Sequence, residues 1–236
     1  MPSSLILSGG IFHDFAGTST ALASLLETHG IEARIEEDIE RGLGDLQEQP
    51  VDLLVLNCLR WEMHGEKYAS LRDGEALTLS PQARQRILSH LDAGGAILGM
   101  HTASICFSDW PQWGDILGAA WAWGASWHPA PQPLSLTPTG HPLMSSIRPF
   151  ELSDELYCNL SLRPENIPLL YGHCAEAKES QPVMWLRSYG GGRIVYDALG
   201  HDSESLAAPM HARALELAIG WALEPEAGGE RSEAVS

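Results

Sequence analysis

The sequence predicts an α/β fold, a three-layer sandwich in which helices flank a mainly parallel central sheet. Three observations predict it. In the first half of the 236 residues, short apolar runs alternate with amphipathic segments. Residues 51–56 form a near-continuous apolar run, which is typical of a strand buried on both faces of a parallel sheet. Prolines divide the second half into short pieces, which predicts antiparallel additions to the sheet.

The first strand and helix follow from local patterns. Residues 5–7 are apolar and run into a glycine-rich loop, which predicts a strand and its end. Leucines then recur at helical spacing over residues 22–29, with Thr18 or Ser19 as the expected N-cap and Gly30 as the stop. The sequence therefore opens as a βα unit.

Two further βα units complete the parallel half. Residues 31–35 alternate as a strand should, and residues 51–56 supply the next strand. Pro81 opens a helix that Gly94 closes, and residues 96–100 are again apolar. We expect these strands to lie side by side with helices on both faces of the sheet.

The second half has a different character. Residues 58–80 form a long irregular insert, and residues 121–170 are expected to contain antiparallel strands and loops. Residues 183–186 and 193–199 predict a hairpin whose connecting glycines supply positive φ angles. A last amphipathic helix covers residues 210–221.

The chain is predicted to form one domain over residues 1–224. Its length and its 44% of hydrophobic residues are sufficient for a substantial core. Residues 225–236 offer too little apolar surface to repay ordering, which predicts a flexible acidic tail.

Charge excludes two classes of partner. The 14 Lys and Arg against 31 Asp and Glu give a formal net charge of −17, which disfavours nucleic acid and anionic membrane surfaces. The sequence has no apolar run of the roughly 18 residues that a membrane span needs, and its start lacks the basic region of a signal peptide. A cytoplasmic location is expected.

Histidine and tryptophan are the informative residue types. The 4 cysteines are widely spaced without a C-x-x-C pair, which predicts reduced, mostly buried thiols. The 10 histidines are candidates for proton transfer or metal binding, and the 8 tryptophans for packing or for stacking on a sugar ring. Trp185 and Trp221 fit core positions, whereas five tryptophans crowd residues 110–127.

Three histidines follow the ends of predicted strands. His13, His101 and His201 fall where ligands bind in open α/β sheets, beyond the carboxyl ends of the strands. Residues 99–103 have the form of a strand-to-helix elbow, which forces its middle side chain, His101, out over the sheet. Histidine at a nucleophile's position favours acid/base work or metal ligation over acyl-enzyme chemistry.

Several motifs, taken together and in order, resemble the trehalose-utilisation (ThuA-like) family of the class I glutamine amidotransferase-like superfamily. The resemblance covers roughly residues 5–223. Its pieces are Phe12-His13-Asp14, the elbow of residues 94–104, Trp127-His128-Pro129 with His141-Pro142, residues 154–157, and residues 189–201. It implies a flavodoxin-like sheet and a role in carbohydrate metabolism.

Glutamine amidotransferase activity itself is not expected. Those enzymes need a thiolate at the elbow, activated by a histidine near the C-terminus. His201 matches the histidine, but the elbow holds His101 and the nearest thiol, Cys106, lies five residues further on.

Two arguments identify the candidate site residues: their position at the carboxyl ends of the predicted strands, and the resemblance to the ThuA-like family. The catalytic candidates are His101, His201 and Glu155. The substrate-binding candidates are His13, Asp14, His128 and Tyr157. Structural alternatives exist for several of them: a capping pair for His13 and Asp14, turn residues for His128 and His141, and an exposed acidic turn for Asp154 and Glu155. No role is expected for His29, His64, His90, His173 and His211.

Three functions stay open at this point. The first is an enzyme, a hydrolase, lyase or isomerase, that acts on a disaccharide, glycoside or oxidised sugar. The second is a non-catalytic sugar-binding or regulatory module with the same pocket. The third places a divalent metal, for catalysis or structure, among His13, His101, His128, His201 and Glu155. A small carbohydrate is the expected partner in the first two, and the sequence also allows a homo-oligomer.

Overall fold

A nine-stranded mixed sheet organises the computed structural model, which describes residues 1–224. Its strand order is β2-β1-β3-β4-β11-β10-β9-β6-β7, and β5 pairs with β8 apart from it. The strands are β1 (Ser3–Gly10), β2 (Glu32–Glu36), β3 (Leu53–Leu59), β4 (Ala96–Met100), β5 (Ala119–Ala120), β6 (Gln132–Pro138), β7 (Phe150–Asp154), β8 (Ser161–Leu162), β9 (Ile167–His173), β10 (Gln181–Tyr189) and β11 (Gly192–Asp197). The expected tail, residues 225–236, lies outside the described residues.

The described part of the chain also contains seven α-helices, and short 3₁₀ turns occur at Glu66–Tyr68, His101–Ser104 and Pro142–Met144. The helices are α1 (Phe15–Thr28), α2 (Ile39–Asp45), α3 (Ala69–Glu75), α4 (Pro81–Asp92), α5 (Pro111–Leu117), α6 (Ser203–Ala207) and α7 (Pro209–Leu223). Within residues 1–224, no helix combines the length and the apolar character that crossing a membrane requires.

The predicted α/β class is confirmed. Strands β2, β1, β3, β4 and β11 are parallel neighbours, and their centre consists of apolar pairs such as Val55 with Leu98 and Leu98 with Val195. Every residue of β3 and β4 is buried, as expected for strands covered on both faces.

Helices cover both faces of this parallel half. Ser8 Oγ lies 2.7 Å from Ser19 Oγ, so Ser8 faces α1. Leu7 faces α2, because a Cβ on Gly42 would lie 2.6 Å from its Cδ2. Neighbouring residues of a strand point to opposite faces, so α1 and α2 lie on opposite sides of β1.

The second half adds the expected antiparallel strands. Each step from β11 through β10, β9 and β6 to β7 is antiparallel. Four reversals return the chain to its starting direction, so β7 runs in the same sense as the parallel strands. Its carboxyl end therefore lies at the same edge of the sheet as theirs.

The structure corrects three local predictions. The N-cap of α1 is Asp14, whose carboxylate accepts a hydrogen bond from Gly17 N, rather than Thr18 or Ser19, which lie inside the helix. In the expected hairpin only Gly190 has a positive φ, of 57°. The insert of residues 58–80 is not irregular throughout, because β3 extends to Leu59 and α3 forms within it.

Candidate active site

The carboxyl ends of β1, β4 and β11 bring three histidines into contact. The ring centroid of His13 lies 5.1 Å from that of His101 and 4.8 Å from that of His201. The centroids of His101 and His201 are 5.6 Å apart. The three strand-end histidines therefore share one site although up to 188 positions separate them in the chain (201 − 13).

His101 occupies a tight elbow directly after β4. Its φ is +37°, a left-handed value that residues other than glycine rarely adopt. Its Nδ1 lies 2.7 Å from the carbonyl oxygen of Ala198, and its own carbonyl accepts a 2.7 Å hydrogen bond from the Tyr196 hydroxyl. These contacts with β11 and the following loop stabilise the strained conformation and fix the direction of the ring.

The other two histidines follow left-handed turns as well. Phe12, before His13, has a φ of +71°, and Gly200, before His201, has a φ of +96°. A side chain on Gly200 would also meet Met100 Cε at 3.1 Å. Sharp turns at the strand ends thus direct each imidazole toward the space above the sheet.

Glu155 lies at the centre of the histidines. Its Oε2 lies 3.3 Å from His101 Nε2, 3.3 Å from His128 Nδ1 and 3.9 Å from His13 Nε2. Its Oε1 lies 3.6 Å from His201 Nδ1. Four imidazoles therefore surround one buried carboxylate, which excludes the alternative of an exposed acidic turn.

The neighbouring Asp154 holds the Glu155 segment against the His201 segment. This buried carboxylate accepts hydrogen bonds from the backbone N–H groups of Glu155 (2.7 Å), Gly200 (2.8 Å) and His201 (3.3 Å), and from the Ser205 hydroxyl (2.5 Å). In a flat sheet, the four strand spacings from β11 to β7 would separate the two strands by about 19 Å. The direct contact shows that the antiparallel half curls back over the strand ends.

Burial and charge shift the protonation equilibria of the cluster. Burial alone would raise the pKa of Glu155, but the facing imidazoles of His101 and His13, with the charge of His128, lower it well below its usual range. Burial alone would lower the pKa of His101, but Glu155 and Asp154 raise it. Burial lowers the pKa of His201, and the neighbouring His101 and His13 add to that effect.

Tyr157 completes the surroundings of His101. Its hydroxyl lies 3.2 Å from His101 Nε2, and the two rings pack with centroids 4.5 Å apart. Burial raises the pKa of this phenol well above its ordinary value, so the hydroxyl keeps its proton near neutral pH. It is therefore the donor toward His101.

A cavity of about 450 Å³ opens beside the cluster. Its walls combine Glu155, Tyr157 and two of the histidines with several aromatic side chains. The lining residues are Phe12, His13, Leu59, Trp61, Lys67, Tyr68, Ile105, Trp121, Trp123, Gly124, Ser126, His128, Glu155 and Tyr157. A larger cavity of about 720 Å³ is lined by none of the predicted site residues, so we place the site by its chemistry rather than by volume.

One predicted site residue, Asp14, lies outside the cluster, and several residues of the site were not predicted from the sequence. The Asp14 carboxylate caps α1, as the capping alternative supposed. Trp61 and Tyr68 of the insert were missed, because no periodicity in residues 58–80 indicates where they pack. Asp154 stood beside a predicted residue, but its role depends on contacts that only folding creates.

A buried histidine for which no role was expected also contributes. His211 in α7 is fully buried, with Nε2 2.7 Å from Asp197 Oδ2 and Nδ1 2.8 Å from the Ser205 carbonyl. It thus connects β11 to the residue that hydrogen-bonds Asp154. The sequence alone does not indicate these contacts, because a histidine on a helix has no local pattern that identifies its distant partners.

The cluster has the composition of a metal site. His13, His101, Glu155 and His201 each offer one ligand atom, and these four atoms lie within 4.8 Å of one another. Imidazole nitrogen with carboxylate oxygen suits divalent transition metals. His128, the fifth predicted candidate, contacts Glu155 from the half-exposed side of the cavity.

Comparison with known proteins places the fold. The sequence model of the ThuA family, described as trehalose utilisation, matches residues 4–222. A protein described as ThuA-like from Parabacteroides merdae superposes with a TM-score of 0.73 at 19% identity, over 94% of this chain and 90% of that one. Another, from Bacteroides uniformis, gives a TM-score of 0.67 at 17% identity, over 93% and 90%.

A similar fold also occurs inside a larger enzyme. The β-galactosidase from Rahnella sp. R3 matches 94% of this chain with 31% of its own length, at a TM-score of 0.60 and 15% identity. Likeness at these identities extends to the fold alone. A comparison with curated proteins gives no significant match.

Proposed function

Because this chain belongs to the ThuA family, described as trehalose utilisation, we propose that it is an enzyme acting on a small carbohydrate. The substrate class is a disaccharide, a glycoside or an oxidised sugar derived from one. The observation that carries the proposal is a buried imidazole–carboxylate cluster that opens directly into an aromatic-walled cavity.

The cavity has the character of a carbohydrate site. At about 450 Å³ it falls within the range of small-molecule pockets. Aromatic rings cover the apolar faces of sugars, and polar groups orient the hydroxyls. Trp123 is 52% exposed at the cavity edge, while His128 and Ser126 supply polar groups beside it.

His101 is the proposed proton-transfer residue. Its Nδ1 is held by the Ala198 carbonyl, so Nε2 is the nitrogen that faces the cluster. The Glu155 carboxylate at 3.3 Å stabilises the imidazolium form, and the Tyr157 hydroxyl supports the neutral form. An imidazole between an acceptor and a donor can take up a proton and return it within one cycle.

The other histidines take supporting roles. His201 faces the second carboxylate oxygen of Glu155 and, when no metal ion occupies its Nδ1, is the alternative proton-transfer partner. His13 and His128 approach the carboxylate from either side and are placed to orient a substrate. The chemistry that fits these groups is bond cleavage or isomerisation by hydrolase, lyase or isomerase steps.

The test is a substrate screen with a matched variant pair. The purified protein is incubated with trehalose, other disaccharides, simple glycosides and their oxidised derivatives, and products are followed by NMR. On a substrate that turns over, we expect His101→Asn to lose roughly 10²-fold or more in rate, the usual scale of general acid–base catalysis. Asparagine tolerates the positive φ at this position, so the variant should fold normally.

His173→Asn is the control, because His173 is exposed on β9 and does not line the cavity. Wild-type turnover in His101→Asn would contradict the assignment of His101. Carbohydrate binding without turnover, measured by calorimetry, would instead favour a non-catalytic sugar-binding module.

A further inference from the structure

We propose that the site binds one divalent first-row transition-metal ion through His13 Nε2, Glu155 Oε2 and His201 Nδ1. The ion's role as a cofactor rests on the proposed function, whereas its binding does not. The three ligands form a two-histidine, one-carboxylate set, which leaves coordination positions open toward the cavity.

The first support is a set of buried polar atoms without partners. Buried polar groups nearly always make hydrogen bonds, so each exception requires an explanation. Within residues 1–224, six buried side-chain atoms lack a partner, and three of them are His13 Nε2, Glu155 Oε2 and His201 Nδ1. The side chain of Glu155 is only 8% exposed, and that of His13 9%.

The other three unpartnered atoms belong to side chains that already form ion pairs. They are on Arg34, Asp109 and Arg187, and each of these residues already makes an ion pair through another atom of the same group. They are also scattered, whereas the three atoms of the site face one another. A single cation between them would satisfy all three at once.

The second support is the orientation of the ligands. His13 Nδ1 lies 3.3 Å from the Ile11 carbonyl, an acceptor that requires the ring proton on Nδ1. Its Nε2 therefore presents a lone pair to the site. A backbone carbonyl behind the ring is the usual support of a metal-binding histidine.

The third support is spacing. His13 Nε2 lies 3.9 Å from Glu155 Oε2, and the whole set of ligand atoms fits within 4.8 Å. Metal–ligand bonds of about 2.0–2.2 Å place neighbouring ligand atoms about 3–4 Å apart. The observed separation of 3.9 Å between His13 Nε2 and Glu155 Oε2 lies within this range.

Two neighbouring histidines are left outside the proposed set. His101 Nε2 already faces the Tyr157 hydroxyl at 3.2 Å, so His101 keeps its role in proton transfer. His128 Nδ1, the nitrogen on the side of Glu155, lies 3.1 Å from the Pro129 carbonyl, so it carries the ring proton and cannot be a ligand. This division allows metal binding and turnover to be tested separately.

The experiment is a metal titration of the full chain. Protein freed of metal with a chelator is titrated with Zn²⁺ or Mn²⁺ by calorimetry, and with Co²⁺ to record ligand-field absorption. We expect one ion per chain and a Co²⁺ spectrum typical of nitrogen and oxygen ligands. His13→Gln and Glu155→Gln should each weaken binding by about 100-fold, because each replaces an imidazole or a carboxylate with a neutral, weakly coordinating amide.

The controls are His101→Asn and the exposed His173→Asn, which should both bind within about threefold of the wild type. Circular dichroism checks that each variant folds. If either His13→Gln or Glu155→Gln fails to fold, the other variant still tests the metal site. Absence of stoichiometric binding, or wild-type affinity in both ligand variants, overturns the proposal.

The same variants separate this inference from the proposed function. Metal binding that persists in His101→Asn while turnover is lost supports both. Stoichiometric binding in a protein that turns over no carbohydrate keeps the metal site and rejects the enzyme. Full turnover by the chelated protein rejects the ion as a cofactor and keeps the enzyme.

Discussion

At the scale of single residues, the site depends on strained backbone that places ordinary side chains in unusual positions. His101 at φ +37° and Phe12 at φ +71° adopt a conformation that costs free energy outside glycine. The cost is tolerated because hydrogen bonds from Tyr196 and to Ala198 fix the elbow. In return, two imidazoles point at one carboxylate instead of into the loops that carry them.

The exposed Trp123 gives a prediction about substrate binding. Its ring lies 6.3 Å from that of Trp61 and lines the cavity, yet it contributes little to the core. We expect Trp123→Ala to weaken carbohydrate binding about tenfold, the loss of about 1.4 kcal/mol of stacking, with unchanged folding. Calorimetry with the substrate from the screen measures it.

Trp127→Ala is the matched control for this prediction. Trp127 is also a partly exposed tryptophan, at 37%, but it does not line the cavity. Equal losses of affinity in the two variants would show that the effect is general and that Trp123 does not stack on the ligand.

At the scale of elements, a chain of buried polar contacts ties α7, β11 and β7 together beneath the site. His211 in α7 contacts Asp197 at the end of β11, and both His211 and Asp154 contact Ser205. Asp154 then holds the backbone of Glu155 and His201. Removing one partner from such a network leaves another buried polar group unsatisfied.

The pH dependence of stability should report this connection. Burial alone would lower the pKa of His211, but the charge of Asp197 and the hydrogen bonds to Asp197 and Ser205 raise it to about 9. A folded-state pKa above the unfolded value of about 6.5 stabilises the fold fully below that value and less as pH rises toward 9. The free energy of unfolding should fall by about 3 kcal/mol across this window.

Urea denaturation at a series of pH values measures the effect, and His211→Gln is the comparison, because glutamine does not titrate. The stability difference between the two proteins should shrink as pH rises from about 6 to about 9. Parallel curves for the two proteins would mean that His211 has the same pKa in the folded and the unfolded protein, which would contradict the raised value.

At the scale of the whole molecule, one apolar core joins the two halves of the chain. The buried cluster includes Leu5 of β1, Leu98 of β4, Trp185 of β10 and Leu215 of α7. The sheet passes from its parallel to its antiparallel half through the pairing of β11 with β10. Neither half can open without exposing residues of the other.

The predicted single domain should therefore unfold in one step. Circular dichroism follows the helices, including α1 in the first half, while all 8 tryptophans lie between residues 61 and 221. We expect the two signals to give the same midpoint and slope in urea, since a main core shared by both halves of the chain favours one cooperative transition. Two separated transitions would instead divide residues 1–224 into units that fold independently.

The sequence by itself determined the buried parallel strands and one edge of the sheet. Apolar runs at residues 5–7, 51–56 and 96–100 predicted buried parallel strands, because such composition is stable only when both faces are covered. The rule that ligands bind beyond the carboxyl ends of strands then placed His13, His101 and His201 at one rim. These inferences needed only local pattern.

Tertiary structure decided what surrounds those histidines. Glu155 reaches them because β7 runs parallel to β11 after four reversals and the sheet curls back, and neither property is written in a local pattern. The same holds for Trp61 and Tyr68, which the insert places against the cavity, and for His211, which looked like an ordinary helix residue. Strands and helices follow from short-range periodicity, whereas the meeting of distant side chains depends on strand order and sheet curvature, which the whole core sets together.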